Sequence, residues 1–467
     1  MSPRIFLKLW VAAIVMGVAS GVFAAPEVRV EEPAASVSAL GLVEYCDKVL
    51  AHYPDLKKQN EHIEETIAHL YLAYMGVSPR VQGLSSVTTS DDPVEVFGML
   101  LREEKFTQND FALSSLNSPR HHTNFNFAME GNLPVFNAFQ TISKIRSSRH
   151  VVRSEKLKKE FLEMEAMLVA VEAYLKILFA HDVAALSRDV QKDAEQDVRQ
   201  AEELKQKGMI LGADFYAARV TLSAIKQQVN QTDVAERTAG VLAGILVGNT
   251  PDKLVSPQGK LSDELRPVKT FDTWLLDAFK SRRDLLALES RIKAQKVELF
   301  REKTSILPRI DAFGAVAEDT HDWRQGGENF TMGFKGTMDL WDPTYWPRIK
   351  ASRHQFAQIQ IEENRLKDAI ARDVAEESAH YETLTRDLTV VRDTLKDAEE
   401  AVKLTATLYR EGRKSIADLL EMRSAYLNTA MRYKHLLVST EISYAKLLFL
   451  TGTLDKLELE QFGERLG

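Results

Sequence analysis

Two stretches of the chain alternate strictly between apolar and polar residues. In the first, Phe125, Phe127, Met129, Leu133 and Val135 share one parity, against Asn124, Asn126, Glu130 and Asn132. In the second, Phe330, Met332, Phe334, Met338 and Leu340 alternate with Thr331, Lys335, Thr337 and Asp339. A period of two predicts strands with one greasy face, over 125–136 and 330–341. Strands of this length suit a barrel whose outer face meets lipid and whose inner face meets water, and equally a sheet packed on a soluble core. After each strand the period changes to three and four. Phe161, Met164, Leu168, Val171, Leu175 and Leu178 mark one seam, and Leu384, Leu388, Val391, Leu395, Val402 and Tyr409 another. No proline falls within 135–250 or after 347. At 1.5 Å per residue the helix from Arg348 to Glu411 would reach roughly 95 Å, and its return from Gly412 to Gly452 about 60 Å.

These patterns occur twice. Asp55 precedes Pro79 by 24 residues, and Asp284 precedes Pro308 by 24. Gly208 leads to Asp214 after 6 residues and to Gly248 after 40; Gly412 leads to Asp418 and Gly452 at the same distances. Phe125 to Phe136 and Phe330 to Trp341 both span 11. The chain therefore reads as a duplication, with repeats over 36–255 and 268–455 and a short tail over 456–467. The first repeat carries about 24 extra residues between Pro79 and Phe125. Each repeat is expected to run helix, strand, strand, helix, hairpin turn, helix. Gly208 and Gly412 stand where the long helices reverse, since glycine adopts the left-handed cap without a Cβ penalty.

Composition narrows the class. With 14 prolines, 22 glycines and 27% charged residues in 467, the chain is helix-rich with few interruptions. A net charge of -7 offers no basic surface for nucleic acid, and no phosphate loop, zinc-ligand cluster or nucleophile motif is present. The His121-His122 pair falls in a loop and gives little reason to expect a metal. Cys46 is the sole cysteine, so stability must come from packing and assembly rather than a disulfide. Arg4 and Lys8 flank an apolar run from Leu9 to Val18, followed by Gly21-Val22-Phe23-Ala24-Ala25-Pro26. This predicts a secretory signal peptide over 1–25, the run being shorter than the ~20 apolar residues of a spanning helix. No later segment reads as a spanning helix, so any crossing of a membrane must use strands.

The repeated blocks, in their order, resemble the TolC-like outer-membrane efflux family. They comprise the Asp-Leu then Pro-Arg pairs before each first strand, Asn132-Leu133-Pro134-Val135-Phe136-Asn137 and Met338-Asp339-Leu340-Trp341-Asp342. The last is Tyr409-x-x-Gly412-x-x-Ser415-x-x-Asp418-Leu419-Leu420. The resemblance covers about 41–452, and 97–111 looks like the elaborated first hairpin loop of many relatives. It implies a mainly α chain with a membrane β-barrel: a homotrimer in which four strands per subunit form one twelve-stranded barrel and long coiled-coil helices form a periplasmic tunnel. It further implies an exit duct in the outer membrane, serving an inner-membrane transporter and a periplasmic adaptor in tripartite efflux or type I secretion, without cofactor or catalysis. Phe125, Phe127, Met129, Phe330, Met332 and Phe334 would then face lipid.

By the same resemblance, Tyr409, Lys414, Asp418 and Glu421 match positions that constrict the periplasmic entrance, and Asp214 a carboxylate tied to the neighbouring turn. Lys414 and Tyr409 are its expected partners. Asp418 and Glu421 lie three apart on one helix face, so three-fold symmetry would gather six carboxylates around the axis. Alternatively both acids only complement a helix N-terminus. The first turn reads Met209-Ile210-Leu211-Gly212 where relatives carry small polar residues, which bears on adaptor docking there. A periplasmic coiled-coil adaptor or stalk is the competing class. It explains helices and export, but not two amphipathic strand blocks placed identically in a duplication.

Overall fold

The computed structural model describes residues 38–264, 266, 268–322 and 326–466. The expected signal peptide lies outside them. In chain order the elements are β1 (Ser38–Leu40), α1 (Leu42–His52), α2 (Pro54–Met75), β2 (Arg80–Ser90), α3 (Pro93–Arg102), a 3-10 turn (Gln108–Phe111), α4 (Leu113–Asn117) and β3 (His122–Asn137). Then come α5 (Gln140–Gln206), α6 (Gly212–Leu246), β4 (Val255–Pro257), α7 (Phe271–Ser281), α8 (Arg283–Thr304), β5 (Arg309–Thr320), β6 (Gly326–Thr337), α9 (Tyr345–Arg410), α10 (Ile416–Thr451) and α11 (Lys456–Leu466).

The long helices α5 and α9 hold 67 and 66 residues, about 100 Å each. Each is matched along its length by two shorter helices stacked end to end: α6 with α2, of 35 and 22 residues, and α10 with α8, of 36 and 22. Glycine makes both joints possible. Gly248 (φ +85°) lies so close to His52 that a Cβ would come within 2.7 Å of its ring, and Gly452 (φ +69°) would place one 2.8 Å from the Arg282 backbone. Two short helices precede each first strand rather than the single one expected, broken at Tyr53 and Arg282. Proline at the first turn of α2 starts the helix at no hydrogen-bonding cost.

At the level of these joints sits the main core, in which Trp274, Tyr444, Tyr381 and Tyr174 pack with Leu175 and Leu178. Strand β1 pairs in parallel with β4 there. Within the expected tail 456–467, α11 joins this core: Leu459 and Phe462 are buried, and the Arg266 guanidinium stacks 3.6 Å from the Phe462 ring centroid.

The other four strands form one antiparallel sheet in the order β2-β3-β5-β6. Strand β3 starts at His122, earlier than expected, and β6 stops at Thr337, so Met338, Leu340 and Trp341 leave the alternation. The reason is local: β5 begins at Arg309, whose partner is Thr337, so no residue remains to pair further along. The chain turns instead through Asp342, whose carboxylate accepts from the Thr344 amide at 2.8 Å and from Arg348 at 2.7 Å.

Candidate functional site

Register decides what each face of the sheet presents. Met129 lies opposite Val316, which lies opposite Phe330; Val87 lies opposite Phe125, Ser85 opposite Phe127, and Ala312 opposite Phe334. Directly opposed residues point the same way, so Phe125, Phe127, Met129, Phe330, Met332 and Phe334 share one face. On β6 that face is open within the subunit, Phe330, Met332 and Phe334 being 75%, 75% and 77% exposed, while Phe125 and Phe127 on β3 are half-buried. The opposite face carries Arg80, Gln82, Glu130, Asn132, Asp311 and Lys335 around a hollow of about 720 Å³. Among the described residues, both outer strands, β2 and β6, leave one edge unpaired in the subunit.

The far ends of the long helices form two hairpin tips with closely similar turns. Met209 N–H donates to Leu204 O (2.9 Å) and Gly208 N–H to Lys205 O (2.9 Å), with Gly208 at φ +73°. Arg413 to Leu408 (2.8 Å), Gly412 to Tyr409 (3.0 Å) and φ +71° at Gly412 repeat the pattern. These are Schellman closures. No atom lies within 4 Å of a Cβ at either glycine, so backbone conformation rather than space calls for glycine. The tips share one core, in which Ala201, Phe215 and Ala218 meet Ile416, Leu419 and Leu420. Their surfaces differ: Met209 and Leu211 are exposed at the first, while the second presents Arg410, Arg413 and Lys414.

At the second tip Asp418 acts first as a helix cap. Ser415 N–H donates to its carboxylate at 3.1 Å, and the Ser415 hydroxyl accepts from the Asp418 amide at 3.1 Å. Those bonds, and then the Lys414 ammonium 3.9 Å away, hold the Asp418 carboxyl below its ordinary range. Glu421 is exposed. Among the described residues no hydrogen bond or ion pair joins Asp214 to Lys414 or Tyr409 in the subunit. Lys414 turns to Asp418, and Tyr409 packs on the tip core with its hydroxyl buried and without a hydrogen-bond partner. Burial, and then the nearby charge of Asp197, push that phenol up.

Besides that shared core, the two hairpins are tied by charged residues that sequence reasoning missed. Arg423 of α10 reaches α5, its Nε 2.6 Å from Asp197 and its terminal nitrogen 2.8 Å from Asp193. Burial raises the Asp197 carboxyl, and Arg423 partly offsets that. Asp193 and Asp197 do stand one helical turn apart, but no spacing rule links them to an arginine more than two hundred residues later.

A largely exposed apolar sheet face, a polar concave face, open edges and helices of about 100 Å together define a strand-built membrane channel with a helical extension. The comparisons agree. Residues 274–453 match the family described as Outer membrane efflux protein. Over 404 residues, 84% of this chain and 86% of the relative, the chain is 21% identical to the outer membrane efflux protein BepC of Brucella suis biovar 1 (strain 1330). Its fold matches the Campylobacter jejuni CmeC outer membrane channel with a TM-score of 0.73 at 15% identity, over 96% of this chain and 98% of that one. The open-state MtrE outer membrane channel of Neisseria gonorrhoeae gives 0.70 at 13% identity, over 92% and 98%. Residues 274–453 thus match the outer membrane efflux protein family, and the fold as a whole is that of the CmeC and MtrE channels.

Proposed function

We propose that this chain is one subunit of an outer-membrane efflux duct: three copies close a twelve-stranded barrel, and their helices extend it as a tunnel through the periplasm. The observation that carries the reading is the sheet. Four strands cannot close on themselves, and two open edges beside an exposed aromatic face are a liability that a trimer in lipid removes. A coiled-coil adaptor or stalk would leave that face in water. The hairpin tips then lie at the tunnel's inner end, where a periplasmic adaptor coupled to an inner-membrane transporter would deliver the cargo. Asp214, Tyr409, Lys414, Asp418 and Glu421 are proposed to line this entrance. Glu421, exposed and one turn from Asp418, is the better placed to act on passing ions, since Asp418 is already engaged in its cap.

The test is reconstitution of the mature chain from detergent into planar bilayers. We expect a detergent-solubilised trimer with cation-preferring single-channel currents. Tyr409→Phe with Lys414→Ser should raise conductance, and Asp418→Ala with Glu421→Ala should weaken cation preference and block by multivalent cations. A stable monomer in detergent-free buffer would overturn the duct; double variants that conduct and select like the parent would move the entrance elsewhere.

A further inference from the structure

The extra residues between β2 and β3 are a built element. Asp92 caps α3, its carboxylate accepting from the Val94 and Glu95 amides at 2.9 and 3.1 Å. Phe97, Phe106 and Phe111 then pack edge to face, with centroids 4.9 and 5.0 Å apart. A capping box between Thr107 and Asp110 fixes the short turn that follows. Such closure by its own side chains makes this a preorganised unit rather than a slack connection.

It folds over the rim of the sheet, on the polar face. Gly327 lies opposite Asp319 on that face, and a Cβ on Gly327 would fall 1.9 Å from the Arg102 carbonyl oxygen at the end of α3. Only glycine permits this approach. Asn329 on β6 donates to the same carbonyl at 3.3 Å. Glu103, next along, is buried on the sheet with both carboxylate oxygens 3.0 Å from His122 Nε2. The His122 ring stacks on His321 at 4.5 Å, and Lys105 reaches Asp322 at 3.5 Å, so the element grips both hairpins of the sheet. Its cover explains a contrast along one face: Asn124 and Asp319 are 4% and 1% exposed, whereas Arg80, Gln82 and Glu130 at the other end are open.

We propose that 93–119 is a lid that narrows the outer mouth of the duct, held on the inner wall by Gly327 and by the Glu103–His122–His321 stack. The inference rests on the channel reading. In a closed barrel the polar face lines the lumen, so three copies place three lids inside the rim. A large solute must then displace them, breaking the Glu103–His122 pair and the carbonyl contact on Gly327.

The test uses the full trimer with Cys46→Ser and Asn124→Cys, in liposomes and planar bilayers. Two variants release the lid: replacement of 93–119 by a short Gly-Ser linker, and Gly327→Leu in the otherwise complete chain. A charged, membrane-impermeant maleimide added from the outer side should label the thiol introduced by Asn124→Cys several-fold faster in either variant than in the parent. Neutral polymers added on that side should enter, and lower the current, at larger sizes. Equal labelling and an unchanged size limit in conducting trimers would overturn the lid while leaving the duct standing. Failure of the parent itself to form conducting trimers would overturn the duct, and the lid with it.

Discussion

Asp418 shows how one side chain can hold a turn and still carry charge at a mouth. Its carboxyl is held low by Ser415, so its capping contribution is complete above the ordinary aspartate value of 3.8 and is lost as pH falls through the lowered folded-state value. We therefore expect the stability penalty of Asp418→Ala to be full at neutral pH and to shrink below about pH 3.8, measured by thermal unfolding of the trimer across that range. Ser415→Ala, which removes the reciprocal acceptor, should cost about 1 kcal/mol. At Gly412 the demand comes from φ alone. Gly412→Ala should cost roughly 1–2 kcal/mol and Gly412→Asn less, because asparagine tolerates the left-handed region; equal penalties would contradict the turn assignment.

Between elements, the strongest statement concerns the tie from α10 to α5. Arg423 and Asp197 are each about five-sixths buried, with side chains 16% and 15% exposed, so removing one partner leaves the other charge facing an apolar tip core. Arg423→Ala should destabilise the tip by about 1–3 kcal/mol, read as faster amide exchange around 193–204 and 416–427. Asp193→Asn, at a 55% exposed position, should have a much smaller effect. Unchanged exchange in Arg423→Ala would mean that the hairpins are joined by packing alone. The sheet offers a second measurement. If its apolar face meets lipid, Phe330→Arg should cost ~2–4 kcal/mol near the bilayer midplane. A spin label at Phe330 should be reached by oxygen and hidden from aqueous quenchers, whereas one at Lys335 on the concave face should show the reverse.

At the scale of the whole molecule, amphipathic period and duplicated spacing were enough to read the element types, the hairpin glycines and a sheet with one greasy face. Both depend on local geometry: a residue's face follows from its position in a strand or helix, and a left-handed cap from the few residues around it. The sequence by itself thus determined the long helices and their strands, and the parity that separates Phe330 from Lys335. Only the tertiary structure decided which distant residues meet. It set Arg423 on Asp193 and Asp197, returned Lys414 to Asp418 rather than Asp214, stacked α2 on α6 at Gly248, packed α11 into the core and laid the Arg102 carbonyl on Gly327. The physical reason is that these contacts join residues tens to hundreds of positions apart. They arise from how whole helices pack and where the sheet's register brings side chains together, and no local period records that.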